Sequence, residues 1–94
     1  MLDNRKDLTK NKFLGNKLEI FQFSDGYRGN IDSVLVAAAV AAESGQKVLE
    51  LGCGNGVALC CLLYRISGLE VFGIEIDKKA ADLCQQNLAS NNFK

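Results

Sequence analysis

The chain has no proline and no histidine among its 94 residues. Without histidine, a zinc site would have to draw on the four cysteines, Cys53, Cys60, Cys61 and Cys84. None of them forms a C-x-x-C pair, and Cys60 and Cys61 are adjacent on a predicted helix, where their side chains point in different directions. No metal site is expected, and the apolar neighbours of these cysteines read them as reduced thiols used as small buried hydrophobes. No apolar run approaches the roughly 20 residues of a membrane span, and the N-terminus is too polar for a signal peptide. The expectation is a cytoplasmic chain with no membrane partner. An excess of one charge is also missing: 11 basic residues balance 11 acidic ones, so no general basic field advertises nucleic-acid binding. Locally, Arg5, Lys6, Lys10, Lys12, Lys17 and Arg28 slightly outnumber Asp3, Asp7, Glu19 and Asp25, which reads as a solvated tail. A hydrophobic content of 48% suffices for the core of one small domain.

The pattern of the chain predicts a short α/β piece. Residues 1–12 are polar and expected to be loose. Leu18, Ile20, Phe21 and Phe23 lie in a stretch that predicts short strands or a hairpin around Gly15 and Asn16. Residues 24–30 read as a loop. Asp32 or Ser33 then caps a helix expected to run to about Glu43 and stop at Gly45. The Val34–Ala42 part of that helix is apolar on most faces and should pack against other elements. A strand over 47–52, a helix over 56–66, a strand over 70–76 and a helix over 78–90 follow. In the last helix Ala80, Cys84 and Leu88 recur at four-residue spacing, behind Asp77 as N-cap.

The stretch from Lys47 to Gly56 (KVLELGCGNG) carries the chemistry. A buried strand bearing Glu50 breaks into Gly52, Gly54 and Gly56, and the next strand, Val71–Ile76, ends in a second acid, Glu75. Strand, glycine turn, helix, strand and terminal acid make half of a nucleotide-binding βαβ unit. A dinucleotide fingerprint, G-x-G-x-x-G/A, needs a third small residue, and this chain has Val57 or Leu59 there. Glu50 would also stand close to a bound pyrophosphate, and like charges in a partly dry cleft repel. A nicotinamide-dependent oxidoreductase is therefore disfavoured. A ligand with a positive end suits that carboxylate. S-adenosylmethionine has one, with an ammonium and a sulfonium beside a neutral adenosine, and Glu75 could accept hydrogen bonds from its ribose. Each residue also has a plainer reading. The glycines could form only a tight turn, Glu75 could be a surface acid at a strand end, and Cys53 could be filler. Asp32 could be a helix cap, Ile76 could be core rather than flank adenine, and Tyr27 and Arg28 could pack a loop rather than meet cofactor or RNA. Glu50 is harder to dismiss, because a carboxylate in a buried strand needs a partner.

The pattern of Glu50, Gly52, Gly54 and Gly56 with Glu75 at the next strand end resembles motif I and its acidic follower in class I S-adenosylmethionine-dependent methyltransferases. Upstream, Phe13 to Gly15 and the run Gly26 to Ala39 (GYRGNIDSVLVAAA) are similar to the bacterial tRNA1(Val) adenine-N6 methyltransferases and their small-domain relatives. The resemblance covers the chain from about Leu8 onward. It implies an α/β fold, the N-terminal part of a Rossmann-like sheet (βαβα) preceded by a hairpin and a helix. It divides the chain into 1–45, hairpin and helix, and 46–94, the first half of the cofactor-binding unit. It also implies S-adenosylmethionine as cofactor, RNA such as tRNA as partner, and Asp32, Glu50, Gly52, Cys53, Gly54, Gly56, Glu75 and Ile76 as the cofactor-binding set. The family's Asn-Pro-Pro-Tyr/Phe catalytic segment cannot occur in a chain without proline, so no catalytic residue is assigned. The expectation is the N-terminal portion of an enzyme of about 200 residues, inactive by itself. Sister groups with similar motifs methylate ribosomal RNA or protein glutamine. The competing expectation is a non-catalytic remnant, or a scaffold that pairs its exposed edges as a homodimer.

Overall fold

The computed structural model describes residues 8–24 and 31–91. In order they form β1 (Leu8–Phe13), β2 (Leu18–Phe23), α1 (Ile31–Ala39), β3 (Lys47–Leu51), α2 (Val57–Arg65), β4 (Glu70–Ile74) and α3 (Lys78–Ser90). The α/β arrangement of a hairpin, a helix and a βαβα unit is the one expected from the sequence.

Residues 8–12 are not loose: they pair antiparallel with β2, from Leu8 opposite Phe23 to Phe13 opposite Leu18. The turn runs through Leu14, Gly15 and Asn16, all at positive φ, a region that glycine and asparagine tolerate and leucine enters at some strain. Alternation along β2 buries Leu18, Ile20 and Gln22. The first two join Ala37, Val57, Cys60, Cys61, Leu62, Leu63 and Leu69 in the main core, between hairpin, α1 and α2.

Helix α1 ends at Ala39, short of the expected Glu43. The Arg65 guanidinium reaches over from the end of α2 and donates to the carbonyls of Ala37 and Val40, replacing the partners that further helical turns would give. Nor does Asp32 cap this helix. It is the second helical residue, where its negative charge is stabilised by the positive end of the dipole.

Strands β3 and β4 pair parallel, Lys47 opposite Glu70 through Leu51 opposite Ile74, with α2 as the crossover. Both end earlier than the hydrophobic runs suggested. Gly52 and Cys53 turn their amides onto the carbonyl of Ile74, and Gly52 takes φ +70°, which releases the loop from the strand. Asp77 does cap α3, accepting from Lys79 N at 3.0 Å. Leu49, Leu51, Phe72 and Ile74 all stand on one face of this sheet, because Leu49 lies opposite Phe72 and Leu51 opposite Ile74. That face is exposed, as are Ile31, Leu35 and Val36 of α1. Among the described residues, no helix is long and apolar enough to cross a membrane.

Candidate functional site

A cleft of about 440 Å³ opens where the glycine loop leaves β3. Its walls are the loop itself, Phe23 at the end of β2, Ser33 at the start of α1, Val57 and Ala58 of α2, and Glu75, Asp77 and Ala80 around the start of α3. This is the carboxyl end of two parallel strands, where α/β sheets take their ligands.

The three loop glycines separate into two roles. Gly52 and Gly54 sit at φ +70° and +56°, and a Cβ on either would meet nothing within 4 Å. They present bare backbone to the open side of the cleft. Gly56, at φ +89°, is buried, and a Cβ there would come to 2.7 Å from Cys84 Sγ. It is absent from the cleft lining and serves the contact between α2 and α3. A fourth glycine makes room for a different packing contact, between β4 and the loop. A Cβ on Gly73 of β4 would fall 2.6 Å from Cys53 Sγ.

Glu50 lines the cleft from β3. Its Oε1 is buried and has no hydrogen-bond partner among the described residues, and burial raises its carboxyl above the usual range. The expectation that this acid needs a partner is therefore left open among the described residues. Glu75 is fully engaged by comparison. Its Oε1 accepts from Gly54 N at 2.8 Å and its Oε2 from Asp77 N at 3.0 Å, so one carboxylate ties the glycine loop to the start of α3. Each oxygen still has a lone pair for another donor.

The loop amides are turned inward. Gly52 N and Cys53 N reach the Ile74 carbonyl, Gly54 N reaches Glu75, and Gly56 N reaches the Cys53 carbonyl at 3.0 Å. A pyrophosphate cradle needs such groups aimed at the ligand, and these four are committed to protein acceptors.

Cys53 contributes to the cleft wall, but its thiol packs beneath Gly73 and hydrogen-bonds Cys84. All four cysteines are free and buried. Burial pushes the Cys61 thiol up to about 11 and Cys84 up to about 12, and it raises Cys60 further still. These are inert packing groups. No cluster of three or more metal-ligating side chains occurs among the described residues.

Three of the expected residues are not in the cleft lining: Gly56, Asp32 and Ile76. Asp32 is exposed beside it, and its neighbour Ser33 faces in instead. Ile76 is completely exposed outside it and is not core. Tyr27 and Arg28 lie outside the described residues. Phe23, Ser33, Asn55 and Asp77 line the cleft without having been assigned to the cofactor from the sequence. Asn55 had a signal, since a polar residue between Gly54 and Gly56 is held in the turn.

Comparison with known proteins follows the same lines. The profile of the methyltransferase small domain family matches residues 23–94. The chain is 32% identical over 84 residues to the tRNA1(Val) (adenine(37)-N6)-methyltransferase of Pedobacter heparinus, covering 89% of this chain and 36% of that protein. Proteins of the same name from Shewanella sediminis and Bacteroides fragilis are 28% and 37% identical over 84% and 61% of this chain. The chain spans 32% and 24% of their lengths, so it covers about a third or less of these curated relatives.

Proposed function

Since the chain belongs to the methyltransferase small domain family, we propose that its cleft binds S-adenosylmethionine. We further propose that the chain, as 1–45 and 46–94 together, is the cofactor-binding portion of a cytoplasmic methyltransferase that modifies an adenine N6 of tRNA. The observation that carries the cofactor reading is the buried Oε1 of Glu50, without a hydrogen-bond partner among the described residues, in a cleft where the amides of Gly52, Cys53, Gly54 and Gly56 are committed to protein acceptors. A site built for phosphate would have the opposite polarity. A carboxylate without an internal partner fits a cationic group such as an ammonium.

When bound, S-adenosylmethionine supplies an electrophilic methyl group on a positive sulfur. The residues of this chain then bind and orient. Glu50 would hold the ammonium end. Bare backbone at Gly52 and Gly54 would allow close approach, and the spare lone pairs of Glu75 would accept from ribose hydroxyls. Fixing the donor in this way lowers the entropic part of the barrier to an in-line displacement. No group in this chain is assigned to the acceptor base. The tRNA acceptor is supported by the names of the relatives, all of them longer than this chain.

Calorimetry with S-adenosylhomocysteine on the full-length protein tests the cofactor. Measurable binding that Glu50→Gln weakens supports it, and no binding sinks it. An NAD titration should be flat. A second reading, a self-associating scaffold, draws on the exposed face of Leu49, Leu51, Phe72 and Ile74. Light scattering on the chain tests that one.

A further inference from the structure

A buried amide network joins the hairpin to the glycine loop. Asn87 of α3 is fully buried. Its Nδ2 donates to the carbonyls of Phe21 at 2.9 Å and Asn55 at 2.8 Å, while its Oδ1 accepts from Phe21 N at 2.8 Å. Asn55 donates in turn from Nδ2 to Gln22 Oε1 at 3.2 Å, and Gln22 Nε2 donates to Asn11 Oδ1 at 2.9 Å. One helical turn on, Asn91 makes a similar clasp on Glu19, accepting from its amide at 3.0 Å and donating to its carbonyl at 2.8 Å. Glu19 and Phe21 are two apart on β2, so these asparagines supply the edge with hydrogen bonds that a further strand would make.

Anchoring the hairpin would need only the clasp that Asn91 makes. Asn87 does more, because its second donor ends on the carbonyl between Gly54 and Gly56. Gly54 N is held from the other side by Glu75. The ligand-facing part of the loop is thus pinned at two points, one on each side. Phe21 is also two residues before Phe23, which lines the cleft.

We infer that Asn87 is a positioning residue for the cleft: its one amide fixes the glycine loop and the strand that carries Phe23 in a common register. The inference rests on the reading of this cleft as the cofactor site. Asn87→Asp isolates the effect. The carboxylate can still accept from Phe21 N, but it turns an acceptor toward the Asn55 and Phe21 carbonyls, and both lose their donor. Asn91→Asp applies the same chemistry to the hairpin clasp; it also removes the Nδ2 bond to the Asn87 carbonyl at 2.8 Å, which the Asn91 backbone amide still reaches at 3.2 Å.

The experiment compares the two variants with wild type in the full-length protein, by amide hydrogen exchange and by calorimetry with S-adenosylhomocysteine. Asn87→Asp should speed exchange at Gly54 and Gly56 at least tenfold and weaken binding at least tenfold. Asn91→Asp should speed exchange in β2 while leaving both loop amides and the affinity within about twofold. Should Asn87→Asp fail to fold, Asn87→Ser is read by the same criteria. Loop exchange within twofold of wild type in the Asn87 variant, or equal loop effects from the two variants, overturns the inference. A wild-type protein that binds no S-adenosylhomocysteine sinks the cofactor reading and the binding half of the inference with it. The exchange data then still decide whether Asn87 fixes the loop.

Discussion

Alanine at Gly54 and alanine at Gly56 are the same chemical change two residues apart, and the structure predicts opposite phenotypes. At Gly56, φ +89° puts a Cβ in strained backbone, at a cost of about 1–2 kcal/mol. The new methyl also meets Cys84, with Sγ at 2.7 Å and Cα at 3.3 Å. The sulfur can rotate away but the backbone of α3 cannot, so overpacking adds about 1 kcal/mol, the low end of its usual range. The sum is a loss of about 2–3 kcal/mol of stability. At Gly54, φ +56° lies close to the left-handed minimum and a Cβ meets nothing within 4 Å, so the loss is about 1 kcal/mol. Its methyl, however, projects into the space assigned to the ligand. Urea unfolding of the full-length protein measures the first quantity. Calorimetry with S-adenosylhomocysteine, at a temperature where all forms are folded, measures the second. Gly56→Ala should be the less stable variant and Gly54→Ala the weaker binder, by at least tenfold. If Gly54→Ala binds like wild type, the loop is only a turn. If the stabilities rank the other way, the packing argument for Gly56 fails.

Further expectations follow from the two acids and the exposed face. Burial raises the Glu50 carboxyl, so the folded chain holds a proton there at pH values where the unfolded chain has released it. Stability contributed by this group is then lost as pH rises from the ordinary carboxylate value of 4.5 through the raised folded value. Glu50→Gln should raise the ligand-free melting temperature at neutral pH, flatten that slope in melts across the acid range and weaken cofactor binding; an unchanged slope would mean that Glu50 is solvated. Glu75→Ala should weaken S-adenosylhomocysteine by about 1–3 kcal/mol through loss of charge-assisted hydrogen bonds, and should speed exchange at Gly54, whose amide it holds. Unchanged affinity would leave Glu75 with the loop-fixing role alone. The 94-residue chain by itself should self-associate in light scattering, and Leu51→Lys with Ile74→Lys should make it monomeric. It should also transfer no methyl group from labelled S-adenosylmethionine to tRNA, and incorporation would show that the missing Asn-Pro-Pro-aromatic segment is dispensable.

The parts of the fold that were legible in the sequence are those written in local pattern. Helix α3 was placed at its observed bounds because Asp77 and the spacing of Ala80, Cys84 and Leu88 define it from within. The parallel pair β3 and β4 was legible from two short apolar runs around a helix. What was missed depends on distant partners. Nothing within residues 8–12 distinguishes a polar tail from an edge strand; β2 decides it by pairing. The end of α1 was misjudged because Arg65, on another helix, takes its carbonyls.

The candidate site shows the same division more sharply. Glu50 reads from the sequence as an acid within a buried strand and Glu75 as an acid at a strand end, and the structure separates them further. Glu75 is bonded into the loop on both oxygens, and Glu50 has a buried oxygen with no partner among the described residues. Spacing records where each acid stands and not which backbone amides turn toward it. The deciding groups are the amides of Gly54 and Asp77, and their direction is set by the left-handed turn at Gly54 and the cap at Asp77. The turn that satisfies Glu75 also commits the amides of Gly52, Cys53, Gly54 and Gly56 to protein acceptors, and Glu50 Oε1 is left without a donor among the described residues. A cation is then the ligand end that this polarity can accept, whatever acceptor the methyl group finally reaches.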